Sequence, residues 1–126
     1  MLKITPVGDK AELGAKVIYR GVELLVARMN NSKYKYVFRQ LIKPYQKEVE
    51  NNTLDDDTSD RLLCEALAEG ILLGWNKDTF PGNVAYTKEN AVELLLNDSD
   101  CRDFITDFAN DINNYLEEDE EQITKE

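Results

Sequence analysis

Leu62 to Asn76, LLCEALAEGILLGWN, is the most apolar run in the chain and holds its single tryptophan. On a wheel at 100° per residue its apolar positions sweep roughly 240°, leaving Arg61, Glu65 and Glu69 as a wet stripe. A helix so widely apolar must be covered on several sides, so it is the predicted centre of the fold. It is not a bilayer span, because Glu65 and Glu69 interrupt it and a span needs about 20 apolar residues. Gly70 and Gly74, four apart near the middle of the arc, predict a close approach by another element. Leu72 falls within the polar stripe and is the one apolar side chain that faces the wrong way.

Around that run, 126 residues with 42% hydrophobic content suit one domain with a modest core and are too few for two. The expected organisation is a single domain over residues 1–116 and a disordered acidic tail over 117–126, where EEDEEQITKE offers six acids, one lysine and little to bury. The net charge of −10 favours solubility and disfavours contact with nucleic acid or an anionic membrane. Cys64 and Cys101 stand far apart with no second cysteine near either, and read as core residues without metal spacing or a disulfide framework. The first residues, MLKITPVGDKAELG, place charges, Pro6 and Gly8 where an export signal needs an apolar segment, so none is expected.

Ahead of the central run, KVIYRGVELLVARM at 16–29 is rich in β-branched and aromatic types and is interrupted by Arg20-Gly21. This predicts a small hairpin with Val17 and Tyr19 on one face of its first strand and Val22, Leu24 and Val26 on one face of its second. Asn30, Asn31 and Ser32 then offer capping oxygens to an amphipathic helix in which Tyr34, Val37, Phe38, Leu41, Ile42, Tyr45 and Val49 share a side. Pro44 should kink or restart it. Its opposite face sets Lys33, Lys35, Arg39, Lys43 and Lys47 around Tyr36, and from Leu24 to Lys47 there are six basic residues and no acidic one. Such segregation suits either a docking surface for an acidic partner or a helix facing the chain's own acidic segments, and solvation is the ordinary state of a charged helical face.

The connector NNTLDDDTSD at 51–60 places acids and hydroxyls where they cap the central helix. Asp55, Asp57 and Ser59 have the alternate spacing of a calcium loop, but Asp60 stands where glycine is needed and Ala66 where glutamate is. Past the central run, Pro81-Gly82 marks a turn, Thr87 caps a helix with Ala91, Leu94 and Leu95 inside, and a stop follows at 97–99. The last helix, about Asp100 to Leu116, puts Cys101, Phe104, Ile105, Phe108, Ala109, Ile112, Tyr115 and Leu116 on one side and Asp103, Asp107 and Asp111 on the other. The predicted class is α+β, mainly α: an N-terminal β-hairpin packed on about four helices.

No catalytic motif emerges. The chain has no histidine, so a thiol or hydroxyl nucleophile lacks its usual base. Carboxylate pairs such as Glu65 and Glu69 lie on a surface stripe, where solvation explains them. The expectation is a non-enzymatic protein without cofactor or metal.

The order of features is more telling than any one of them. A hairpin ending in Arg28-Met29-Asn30-Asn31 leads to an aromatic, basic helix with Lys43-Pro44, an acidic connector, a helix closing on Gly74-Trp75-Asn76, the helix start Tyr86-Thr87-Lys88-Glu89-Asn90-Ala91, a Leu94-Leu95 pair and a Phe/Ile-rich final helix. In this order the chain, from about Leu13 to Tyr115, resembles the tail assembly chaperones of long-tailed bacteriophages in their short, pre-frameshift form. The resemblance implies a protein that acts in the host cytoplasm, binds and solubilises the tape measure protein during tail morphogenesis, with contact to the tail tube protein and homo-oligomers as further possibilities, and is absent from the mature virion. It implies no catalytic residues, and gives Trp75, Asn76, Tyr86 and Asn90 structural roles. For partner contact the candidates are Lys33, Lys35, Tyr36, Arg39, Lys43 and Leu72. The rival reading is an acidic inhibitor or DNA mimic that occupies a basic groove.

Overall fold

The structure, a computed structural model, describes residues 13–116. The expected disorder of 117–126 lies outside the described residues. Strands β1 (Ala15–Tyr19) and β2 (Val22–Val26) form the predicted hairpin. Arg20 and Gly21 turn it with φ of 49° and 85°, the positive values that match the twist of two-residue hairpins. The predicted faces are correct: Val22, Leu24 and Val26 are buried, and Val17 and Tyr19 pack against the same core.

The central run is two elements. Helix α3 (Asp56–Gly70) ends at Gly70, and Leu72–Trp75 forms a third strand, β3, antiparallel to β2, giving the sheet order β1-β2-β3. The register sets Leu24 opposite Trp75 and Val26 opposite Leu72, with an irregularity between Leu25 and Val26. The expectation of one helix to Asn76 is therefore corrected. A short apolar run bounded by turn residues suits strand or helix alike, and the free edge of β2 takes it as strand.

The helix-to-strand transition is held by side chains from elsewhere in the chain. Asn31 Nδ2 donates to the Gly70 carbonyl at 3.0 Å, while the single Tyr86 hydroxyl proton is shared between the carbonyls of Ala68, at 2.9 Å, and Leu72, at 2.7 Å. The Ala27 N–H donates to the Ile71 carbonyl at 2.8 Å. These bonds occupy the carbonyls that a helix end leaves without partners.

The remaining helices are α1 (Ser32–Ile42), α2 (Gln46–Glu50), α4 (Lys88–Asn97) and α5 (Ser99–Asn110). A 3₁₀ turn at Lys43–Tyr45, with Pro44 in it, separates α1 from α2, as the proline requires. Asp55 caps α3, Thr87 caps α4 and Asp98 caps α5, each accepting from a backbone N–H three residues on. Helix α5 stops sooner than expected. Asp111 leaves helical geometry, and its carboxylate instead caps the turn at Ile112–Asn114, so it does not continue the acidic row of Asp103 and Asp107.

The core joins β2 and Leu72 of β3 to Cys64, Leu67, Ala68 and Ile71 of α3, Ala91 and Leu95 of α4, and Cys101, Ile105 and Ala109 of α5. Both cysteines are buried, and burial pushes the Cys101 thiol up to about 12, so it packs as a neutral group. Among the described residues no helix is long and apolar enough to cross a membrane.

Candidate partner-binding face

Helix α1 begins where Asn31 is locked in place. Asn31 is a buried polar residue; its Oδ1 accepts from the Tyr34 N–H at 2.8 Å and its amide also donates to the Arg28 carbonyl. One side chain thus caps α1 and ties it to the end of α3. The two helices run antiparallel from that point. A Cβ on Gly70 would lie 2.7 Å from Tyr34 Cα, so glycine is what permits the contact. The predicted close approach is correct at Gly70. At Gly74 a Cβ would meet nothing within 4 Å, because that residue belongs to a strand and not to the helix face.

Beyond Tyr34, α1 continues along α3 at the margin of the core. None of its residues is fully buried, and Val37, Phe38, Leu41 and Ile42, all half-buried, do not pack on the central cluster. Phe38 and Ile42 instead line a groove of about 510 Å³ with Val49, Leu54, Leu62 and Leu63 and with polar residues that include Glu48 and Asp56. Val49 is itself 43% exposed. A second depression, on α3 and α4, is lined mainly by charged residues, among them Arg61, Glu65, Lys88, Glu89 and Glu93, and water suits it.

The basic side of α1 lies open. Lys33, Lys35, Arg39 and Lys43 are exposed, with Tyr36 at 59% exposure among them. Helical spacing puts Lys35 and Arg39 one turn from Phe38 and Ile42, so cations border the apolar groove. Among the described residues the ion pairs are Arg20 with Asp100 at 3.9 Å and Lys88 with Glu69 at 2.9 Å, and neither involves α1. Local energetics also set α1 apart. Helices α3, α4 and α5 carry acids in their first turns, whereas α1 has none there and begins with Ser32-Lys33.

Five of the six residues predicted for partner contact, Lys33, Lys35, Tyr36, Arg39 and Lys43, are therefore brought together on one exposed helix face. Leu72 is not among them. It is a strand residue, fully buried in the core, and its placement on a polar helical stripe is corrected by the early end of α3. Sequence reasoning did not separate Phe38 and Ile42 from the core residues, since an apolar stripe looks the same over a groove as over a core.

The residues read as structural all make contacts within the fold. Trp75 Nε1 donates to the Val84 carbonyl at 2.8 Å, and its ring stacks on Phe80 and meets Tyr86 edge-on. Asn76 caps the turn at Lys77–Thr79, and Asn90 Nδ2 donates to the Ala85 carbonyl at 3.0 Å. Asp55, the first residue of the calcium-like spacing, has its carboxyl held below its ordinary range chiefly by the Thr58 side-chain hydroxyl, and the Thr58 N–H that it caps adds to the shift. The hydrogen bond from Lys88 likewise holds the Glu69 carboxyl below its ordinary range, opposite to the shift a general acid needs.

These features define a small α+β domain with one amphipathic helix, α1, packed on α3 at the margin of the core. Residues 29–126 match the family described as YdaY prophage protein, so the chain belongs to that family and is of phage origin. The match begins at Met29, after the end of β2, and includes helices α1 to α5. No curated protein and no solved structure matches the chain.

Proposed function

We propose that this protein is a tail assembly chaperone that binds the tape measure protein in the host cytoplasm, keeps it soluble until the tube forms, and does not remain in the virion. The observation that carries the reading is α1: an apolar stripe held over a groove, bordered by cations without ion-pair partners among the described residues. Such a face suits an amphipathic helix whose apolar stripe is flanked by acids. A long helical protein with exposed apolar stripes aggregates unless they are covered, and a binder of net charge −10 keeps the coated complex dispersed. Phage origin and the order of motifs along the chain support the same reading.

The test is co-expression with the tape measure protein of the same phage genome. Soluble recovery of that protein should rise severalfold with this chain present and fall back when Phe38→Asp and Ile42→Asp are introduced together. Unchanged recovery with and without the chain sinks the proposal.

A further inference from the structure

We propose that the groove beside α1 selects its partner by charge on both rims: it takes an amphipathic helix whose apolar stripe carries acids along one flank and bases along the other. This deepens the helical-partner reading of the same groove and rests on it. The first ground is that the two rims bear opposite charge. Phe38 and Ile42 form one wall, and exposed Lys35 and Arg39, each three residues ahead of one of them on α1, make that rim basic. Across the groove, exposed Glu48 and Asp56 line the wall that α2 and the start of α3 build around Val49 and Leu54, and make that rim acidic. Lys47 of α2 does not line the groove. Lys33 is not part of the basic rim either. It stands half a turn round α1 from Ile42, near Glu69, whose carboxyl it helps to lower.

The second ground is that the acidic wall is held in place. The Thr53 N–H donates to the Glu48 carbonyl at 2.8 Å and the Asn52 N–H to the Val49 carbonyl at 3.2 Å, with Asn52 at φ 58°. This closed turn folds the connector back on α2 and keeps Glu48, Val49 and Leu54 together on one wall. The lining belongs to α1, α2, α3 and the connector between them, so it offers no strand edge to an extended peptide, whereas a docked helix needs only apolar anchors. Opposite rims also set direction. Turning a helix end for end over the groove exchanges its flanks, so a helix with mixed flanks has one favoured direction, while a helix with acids on both flanks sets half of them against Glu48 and Asp56.

The full chain is titrated with three stapled peptides of about 14 residues, four helical turns, that share one apolar stripe. One carries glutamates on one flank and lysines on the other, one carries glutamates on both, and one carries lysines on both. Binding that survives Phe38→Ala with Ile42→Ala lies outside the groove and is subtracted. At about 0.15 M salt, where screening is about 8 Å, the mixed peptide should bind about threefold to thirtyfold more tightly than either of the others, as two exposed pairs on a rim allow. Glu48→Lys with Asp56→Lys should transfer the preference to the all-glutamate peptide, and Lys35→Glu with Arg39→Glu to the all-lysine one. The milder pair Glu48→Gln and Asp56→Asn, which spares the first turn of α3 a cation, should by itself remove the advantage of the mixed peptide over the all-glutamate one. Equal binding of the mixed and all-glutamate peptides to the wild type overturns the proposal and leaves the helix-in-groove reading standing. Binding of no peptide, or binding of all three that ignores Phe38 and Ile42, overturns both.

Discussion

Helices α1 and α5 are near twins in sequence terms: eleven and twelve residues, each with an apolar side and a charged side. Yet α5 buries Cys101, Ile105 and Ala109 completely, while α1 buries none of its residues. The difference lies in what each stripe meets. Helix α5 lies on β2 and the central cluster. Helix α1 packs along α3, held closest at its start through Asn31, Gly70 and Tyr34, and the far half of its stripe borders a groove. Helical periodicity shows that a helix has an inner face, and it is silent on whether that face meets a core or a partner.

The sharpest attempt to break this comparison sets matched truncations side by side. Ile105→Ala should cost about 2–5 kcal/mol, as for a fully enclosed aliphatic side chain, whereas Ile42→Ala should cost about 1–2 kcal/mol because that side chain is only partly buried, at the groove. Urea unfolding of the two variants decides it. Equal losses would mean that α1 belongs to the core after all.

A smaller effect is expected where α1 is attached. Gly70→Ala drives a methyl against Tyr34 backbone, which cannot rotate away. The net loss should be about 1–3 kcal/mol, the usual range for overpacking, despite alanine's better helix propensity. Amide shifts should move in α1 and the end of α3 and stay fixed in α5. A neutral or stabilising change would show that the two helices separate freely.

The smallest effect contrasts a surface that neutralises its own charge with one that does not. Glu69 pairs with Lys88 across α3 and α4, with side chains about a third and a half exposed. Glu69→Gln should cost only about 0.2–1 kcal/mol at neutral pH. The folded-state pKa of Glu69 is lowered, chiefly by the Lys88 hydrogen bond, so its contribution is present above the unfolded value and is lost as pH falls through the folded one. The gap between wild type and variant should therefore close in acid. Arg39→Gln, on the unpaired face of α1, should change stability by no more than about 0.5 kcal/mol at any of these pH values. Stability measured across the pH range for both variants checks the pair.

Much of the fold was legible locally. Arg20-Gly21 as a hairpin turn, the cap at Thr87 and the break at Pro44 each depend on a few adjacent residues and are present as read, while the capping groups offered at 30–32 and 51–60 resolve to Asn31 and Asp55. The basic face of α1 was legible for the same reason, since five charged or aromatic side chains at helical spacing need only the helix to come together. Leu72 failed because its surroundings depend on an element more than forty residues earlier.

Leu62 to Asn76 divides along the same line. Its apolarity alone determined that the segment is buried and that the fold forms around it. What only the tertiary structure decided is that Gly70 ends the helix, that Leu72 to Trp75 pairs with β2, and that Gly70 receives α1 while Gly74 receives nothing. Capping and turn preferences act within a few bonds, so a sequence displays them. The choice of strand over helix satisfies the open hydrogen-bonding edge of β2 and draws on Asn31 and Tyr86 from either side of the run, and that demand exists only once the chain has closed on itself.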